Sequence, residues 1–182
     1  MNLPNKLTIV RILMVPLFLF FGLFRFPGGY GEIISRFLAA IVFAAAALTD
    51  LIDGKIARKY GLITDFGKFM DPLADKLLVC SALICLIELD RIPSWMVIVI
   101  IAREFVISGF RLIASDNGVV IAASYWGKFK TTFQMIAVCL MIADIAALNL
   151  VTNIVTWIAV ILTVISLIDY LIKNKDVMKE TK

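Results

Sequence analysis

Long apolar runs separated by short polar intervals account for nearly the whole chain. They lie at about 12–25, 35–58, 67–89, 94–114, 127–147 and 151–172. Each is close to the roughly 20 residues a helix needs to cross a hydrocarbon core. Between them come FPGGYG at 26–31, the turn ELDRIP at 88–93, and a loop at 115–124 with Asp116, Asn117 and Gly118. Such Pro, Gly and Asn clusters break helices. The pattern predicts an all-α, polytopic membrane protein with six transmembrane helices, built as one domain over 1–182. Residues 1–11 mix polar and apolar positions, with Pro4 suited to a first helical turn. Leu7, Val10, Ile12 and Leu13 form an apolar side, with Lys6 and Arg11 elsewhere. This predicts a short interfacial helix leading into the first span. Pro16 is placed to kink that span. Residues 173–182 form a charged cytoplasmic tail.

Composition agrees with that pattern: 62% of the 182 residues are hydrophobic. The net charge of +4 is modest and spread along the chain, which argues against nucleic acid as a partner. With an inside N-terminus, fifteen of the eighteen Lys and Arg fall on the inner side, leaving Arg25, Arg36 and Arg91 outside. The positive-inside bias therefore puts the acidic stretch at 50–75 on the cytoplasmic face of a cell membrane. Cys80, Cys85 and Cys139 sit in apolar runs without a C-x-x-C pair and read as reduced packing residues. The run from Leu7 to Phe24 contains Arg11 and lacks a small-residue cleavage site, so it reads as a retained span.

Residues 50–75, DLIDGKIARKYGLITDFGKFMDPLAD, depart from this apolar plan. Asp50, Asp53, Gly54 and Ala57 share one helix face, and Gly67, Asp71 and Asp75 share another. A turn within 58–66 would bring four carboxylates together. Like charges that close need neutralising. No histidine exists in the chain, so an all-carboxylate oxygen site suits two hard divalent cations, Mg²⁺ or Mn²⁺. Solvated helix ends are the plainer alternative. Cations held by aspartates suit phosphoryl transfer. Arg58 can fork onto phosphate oxygens, and Gly54 and Ala57 leave room for a close contact, or serve helix packing. Without histidine, a carboxylate at the cluster edge is the natural general base.

The order Asp-x2-Asp-Gly-x2-Ala-Arg-x8-Gly-x3-Asp-x3-Asp, through Asp50, Asp53, Gly54, Ala57, Arg58, Gly67, Asp71 and Asp75, resembles the signature of the CDP-alcohol phosphotransferase family at every fixed position. The resemblance implies that Asp50, Asp53 and Asp71 hold one metal and Asp50, Asp71 and Asp75 the second. It implies that Asp75 accepts the proton, and that Gly54, Ala57, Arg58 and Thr64 contact the CDP moiety of CDP-diacylglycerol. It further implies attack of an alcohol on the β-phosphorus with CMP leaving, six transmembrane helices, a homodimer among membrane lipids, and a polar cavity open to the cytosol.

A second constellation bears on the acceptor. AREFVISGFR holds Arg103, Glu104 and Arg111, and GKFKTT holds Lys128 and Lys130. Arg103 and Arg111 are eight apart, near one helix face at about 100° per residue. Glu104 is read as partner to one of the cations. Arg103, Arg111, Lys128 and Lys130 together describe a pocket for an acceptor phosphate. Snorkelling to the interface is the alternative for the lysines. These segments, with NLPNKLT and DPLADKLL, resemble the branch of the family whose acceptor is sn-glycerol 3-phosphate. Relatives using serine, inositol phosphate or phosphatidylglycerol share the aspartate motif. A cation transporter and a structural membrane protein are the readings from other classes.

Overall fold

The computed structural model describes residues 3–24, 26, 30–60, 65–116 and 124–175, with side chains except at 3–4, 50–60, 65–69 and 115–116. Among these there are no strands. Six α-helices follow in order: α1 (Leu3–Leu23), α2 (Gly31–Tyr60), α3 (Asp65–Glu88), α4 (Ser94–Asp116), α5 (Tyr125–Ala143) and α6 (Asn149–Lys173), with a 3-10 turn at Ala146–Leu148 before α6. Among the described residues, three helical stretches are long and apolar enough to cross a membrane: Asn5–Leu23, Gly31–Thr49 and Ala146–Lys173. Charged residues interrupt the apolar character of α3, α4 and α5.

Two elements expected at the N-terminus are one. A separate short helix over 1–11 does not appear, because α1 runs unbroken through Leu3–Leu23 and carries Pro16 inside it. Its apolar side faces outward and a polar stripe faces inward. Leu13 is 64% exposed, while Asn5, Thr8 and Arg11 are buried. The buried stripe Asn5, Thr8, Arg11, Val15, Phe18 advances three or four residues at a time and turns from polar to apolar along the helix. The fifth helix stops earlier than expected, at Ala143. Asp144 follows in the left-handed region with φ 47°, which an aspartate tolerates better than most residues.

The backbone gathers into two compact units, Met1–Ile92 with Met141–Asp144, and Pro93–Leu140 with Ile145–Lys182. In the first, α1 packs on α2 and α3. Phe18 meets Phe43 with ring centroids 5.7 Å apart, and Gly22 allows a close approach in which an added Cβ would lie 3.1 Å from Cys85 Sγ. The 30 residues of α2 extend about 45 Å, beyond the roughly 30 Å of a hydrocarbon core. The helix therefore carries Asp50 and Asp53 past its own apolar stretch, which ends near Thr49.

In the second unit α4 packs on α6. The buried side of α6 is rich in hydroxyls: Thr156, Thr163 and Ser166. Each donates to a carbonyl one turn back on its own helix, so none needs water. Small hydroxyl residues also let helices approach closely in an apolar setting.

Candidate active site

The aspartate signature falls on two helices of the first unit. Asp50, Asp53, Gly54, Ala57 and Arg58 belong to α2, and Gly67, Asp71 and Asp75 to α3. The side chains at 50–60 and at 67 are outside the described residues, and so is Thr64. The helical spacing on which the shared faces depend is present in both elements. Asp71 and Asp75 are half-buried. Pro72 lies inside α3 directly after Asp71, and it has no N–H to give the carbonyl four residues back.

A residue with no role in the sequence reading touches this site. Thr8 of α1 is fully buried and donates its hydroxyl to Asp71 Oδ1. A carboxylate that binds a cation is commonly oriented in this way by a second donor. The signal was the segment NLPNKLT: Asn5 and Thr8 recur three apart on a stripe that, for a helix in an apolar setting, should have been apolar if it faced outward.

The basic residues of the second unit separate into two kinds. Arg103 and Lys130 are buried, whereas Arg111 and Lys128 are exposed. Glu104 Oε1 accepts from Arg103 Nη1 at 2.9 Å and also from Lys130 Nζ. Arg103 Nε donates to Ser166 Oγ at 3.1 Å. Glu104 is thus partner to two cations where one was expected. The side chain of Arg111 makes no ion pair or hydrogen bond among the described residues, and the pocket of four basic residues is drawn together only at two. Helix geometry explains the split. Eight residues at about 100° each leave Arg111 some 80° around α4 from Arg103, and two residues leave Lys128 about 200° around α5 from Lys130. Ser166 could not be found from spacing on α4 and α5, because it comes from α6.

Asp144 and Asp169, which lie apart from the aspartate signature, are both paired with cations. Asp144 accepts from Arg36 Nη1 at 2.6 Å and from Arg91, and Arg36 also pairs with Glu32. Asp169 pairs with Lys173 at 2.6 Å.

Known proteins are similar in sequence to this chain over most of its length. It is 44% identical to the CDP-diacylglycerol–glycerol-3-phosphate 3-phosphatidyltransferase of Bacillus subtilis (strain 168), covering 98% of this chain and 97% of that one. It is 42% identical to a probable phosphatidylglycerophosphate synthase of Mycobacterium tuberculosis (strain ATCC 25618 / H37Rv), over 93% of this chain and 79% of the relative. A CDP-diacylglycerol–glycerol-3-phosphate 3-phosphatidyltransferase of Rickettsia typhi is 41% identical over 91% of this chain and 92% of its own length. The family model for CDP-alcohol phosphatidyltransferase matches residues 1–165, a stretch that contains both the aspartate helices and the basic helices. By these matches and by its unbroken aspartate signature, the chain belongs to the CDP-alcohol phosphatidyltransferase family.

Proposed function

We propose that this protein transfers the phosphatidyl group of CDP-diacylglycerol to sn-glycerol 3-phosphate, giving phosphatidylglycerophosphate and CMP. The observation that carries the reading is the near-full-length likeness to a relative named for that reaction. The buried pair Arg103 and Lys130 supports an acceptor that bears a phosphate.

The glycerol hydroxyl oxygen attacks the β-phosphorus of CDP-diacylglycerol. The bond from that phosphorus to the bridging oxygen breaks, CMP leaves, and the hydroxyl proton passes to the Asp75 carboxylate. Gly54, Ala57, Arg58 and Thr64 contact the CDP moiety. Asp50, Asp53 and Asp71 would hold one divalent cation, and Asp50, Asp71 and Asp75 a second. The donor set fits hard cations, and the hydroxyl of Thr8 on Asp71 is the kind of support a ligating carboxylate uses. When bound, Mg²⁺ or Mn²⁺ supplies charge neutralisation for the diphosphate and polarises its phosphorus. Arg103 and Lys130 bind the acceptor phosphate. Arg111 and Lys128, exposed on the same helices, draw the anion in.

All six helices span a bacterial cell membrane in this reading, with the site facing the cytoplasm. Residues 1–182 form a single catalytic domain, and the protein is a homodimer among membrane lipids. The test is CMP release by the purified protein from CDP-diacylglycerol with Mg²⁺ and, in turn, sn-glycerol 3-phosphate, serine, inositol phosphate and phosphatidylglycerol. Release with glycerol 3-phosphate alone, silenced by EDTA and restored by Mg²⁺ or Mn²⁺, is expected. Full activity in excess chelator would end the metal proposal. Preference for another acceptor would end the acceptor assignment.

A further inference from the structure

Arg103 is fixed on two of its three nitrogens. Ser166 Oγ takes Nε at 3.1 Å, and Glu104 Oε1 takes Nη1 at 2.9 Å. The third, Nη2, makes no hydrogen bond among the described residues. It lies against the bare backbone of Gly127, where an added Cβ would sit 3.2 Å from Nη2 and 3.3 Å from Ser124 Oγ. Gly127 is in the first turn of α5, a helix of 19 residues. Its N–H donates to Ser124 Oγ at 3.1 Å, while the first-turn N–H groups of Tyr125 and Trp126 have no acceptor within the helix.

A guanidinium edge and a helix N-terminus therefore meet. Both are donors and both carry positive charge. Glu104 is one carboxylate shared by two cations, Arg103 and Lys130, so positive charge beside the helix N-terminus is left over for a further anion to balance. A phosphoryl group matches both sets of donors.

We infer that Ser166 and Glu104 are positioning residues: they turn Arg103 so that its Nη2 and the first turn of α5 bind the acceptor's phosphate together. Gly127 is the residue that admits the guanidinium to that turn. Ser166 holds Arg103 from a third helix, so the guanidinium cannot swing away when the anion leaves. Glu104 ties the same group to Lys130 of α5. The inference rests on the reading that the acceptor carries a phosphate.

Two variants test it without threatening the fold. Gly127→Ala removes no group and improves helix propensity. Its Cβ would press Nη2 aside by a few tenths of an ångström. Ser166→Ala frees Nε, and Ser166→Thr keeps the hydroxyl. A hydrogen bond of about 1.4 kcal/mol corresponds to tenfold in affinity. The KM for sn-glycerol 3-phosphate should therefore rise about tenfold in Gly127→Ala and about 3- to 10-fold in Ser166→Ala. Ser166→Thr should recover much of the loss, and the KM for CDP-diacylglycerol should change little. A readout without turnover accompanies these: inorganic phosphate should raise the Tm of the detergent-solubilised wild type, and raise it less in Gly127→Ala and Ser166→Ala.

If CMP is released with glycerol 3-phosphate, yet neither variant moves its KM or the phosphate effect on Tm, the positioning roles fall and the acceptor reading stands. If glycerol 3-phosphate is no acceptor, but phosphate protects the wild type and fails to protect the variants, the anion subsite stands and the acceptor reading falls. Equal shifts in the KM of both substrates would mark Ser166 and Gly127 as merely structural and overturn the inference.

Discussion

Asp144, just after α5, takes Arg36 and Arg91, while Glu104, midway along α4, takes Arg103 and Lys130. Each carboxylate serves two cations, but the surroundings differ. The side chains of Arg36, Arg91 and Asp144 keep 28%, 22% and 25% of their exposure. Those of Arg103 and Lys130 keep 9% and 2%. The Asp144 group ties the start of α2, the turn after α3 and the end of α5 within one unit, and water screens it. Pairs of that kind contribute little and are tolerant of loss. The Glu104 group holds two charged side chains where water scarcely reaches. Such a group is poor value as a fastening, since well-packed apolar residues would serve as well or better. Its retention is explained by work that needs fixed positive charge, and a phosphate-bearing substrate supplies that need.

The largest expected effect comes from removing the two carboxylates in turn. Glu104→Ala strands Arg103 and Lys130 without their shared partner. Losing one side of a buried pair costs about 3–5 kcal/mol. The variant should show a large drop in Tm in detergent, a low yield of folded protein, and no measurable CMP release. Asp144→Ala breaks two partly exposed pairs at about 0–1 kcal/mol each. Its Tm should fall slightly and its CMP release should persist. Equal losses of stability in the two variants would erase the distinction drawn between the two sites.

A third carboxylate lies between these two in kind. Asp71 is half-buried and takes a neutral donor, the Thr8 hydroxyl. Thr8→Val keeps the shape and removes the donor. Partners of this type are worth about 10- to 100-fold in metal affinity or activity. We expect CMP release at limiting Mg²⁺ to fall by about that factor, with partial recovery at saturating Mg²⁺ and in Thr8→Ser. A uniform loss at all Mg²⁺ concentrations would show that Thr8 supports packing and not the metal-binding carboxylate.

The three carboxylates were not equally legible in the sequence. Asp71 was, because eight residues at fixed spacing leave little freedom for another reading. The helices themselves were also legible, since runs of about 20 apolar residues bounded by Pro, Gly and charge have few other outcomes. Their ends were harder. The continuity of α1 through Leu3–Leu23 was missed because residues 2–11 mix polar and apolar positions and so read as a separate interfacial helix. In an apolar surround a polar stripe goes inward, as Thr8 and Arg11 do. The pairing of Asp144 with Arg36 and Arg91 joins residues more than fifty positions apart, and nothing local announces it. Glu104 was legible as a partner, but Ser166 was not. One serine among the many hydroxyls of α6 is distinguished only by which neighbour it meets.

The smallest expected effect separates Arg103 from Arg111. Both were assigned to the acceptor pocket on their spacing along α4. Arg103 is buried and hydrogen-bonded on two nitrogens, whereas Arg111 is exposed. A charge in that position acts at a distance, by raising the local concentration of an anion. Salt screens such an influence over about 8 Å at physiological ionic strength. Arg111→Ala should therefore raise the KM for sn-glycerol 3-phosphate by only about threefold at low salt, the equivalent of roughly 0.7 kcal/mol, and the difference should vanish as salt is raised. Arg103→Ala should cost about 10- to 100-fold at any salt, because a hydrogen bond to a charged group is worth about 1.5–3 kcal/mol and is made away from bulk water. A salt series of CMP release on the two variants makes the comparison. A tenfold or larger rise for Arg111→Ala that survives high salt would mean Arg111 grips the phosphate directly, and burial would no longer be what divides the basic residues of this unit.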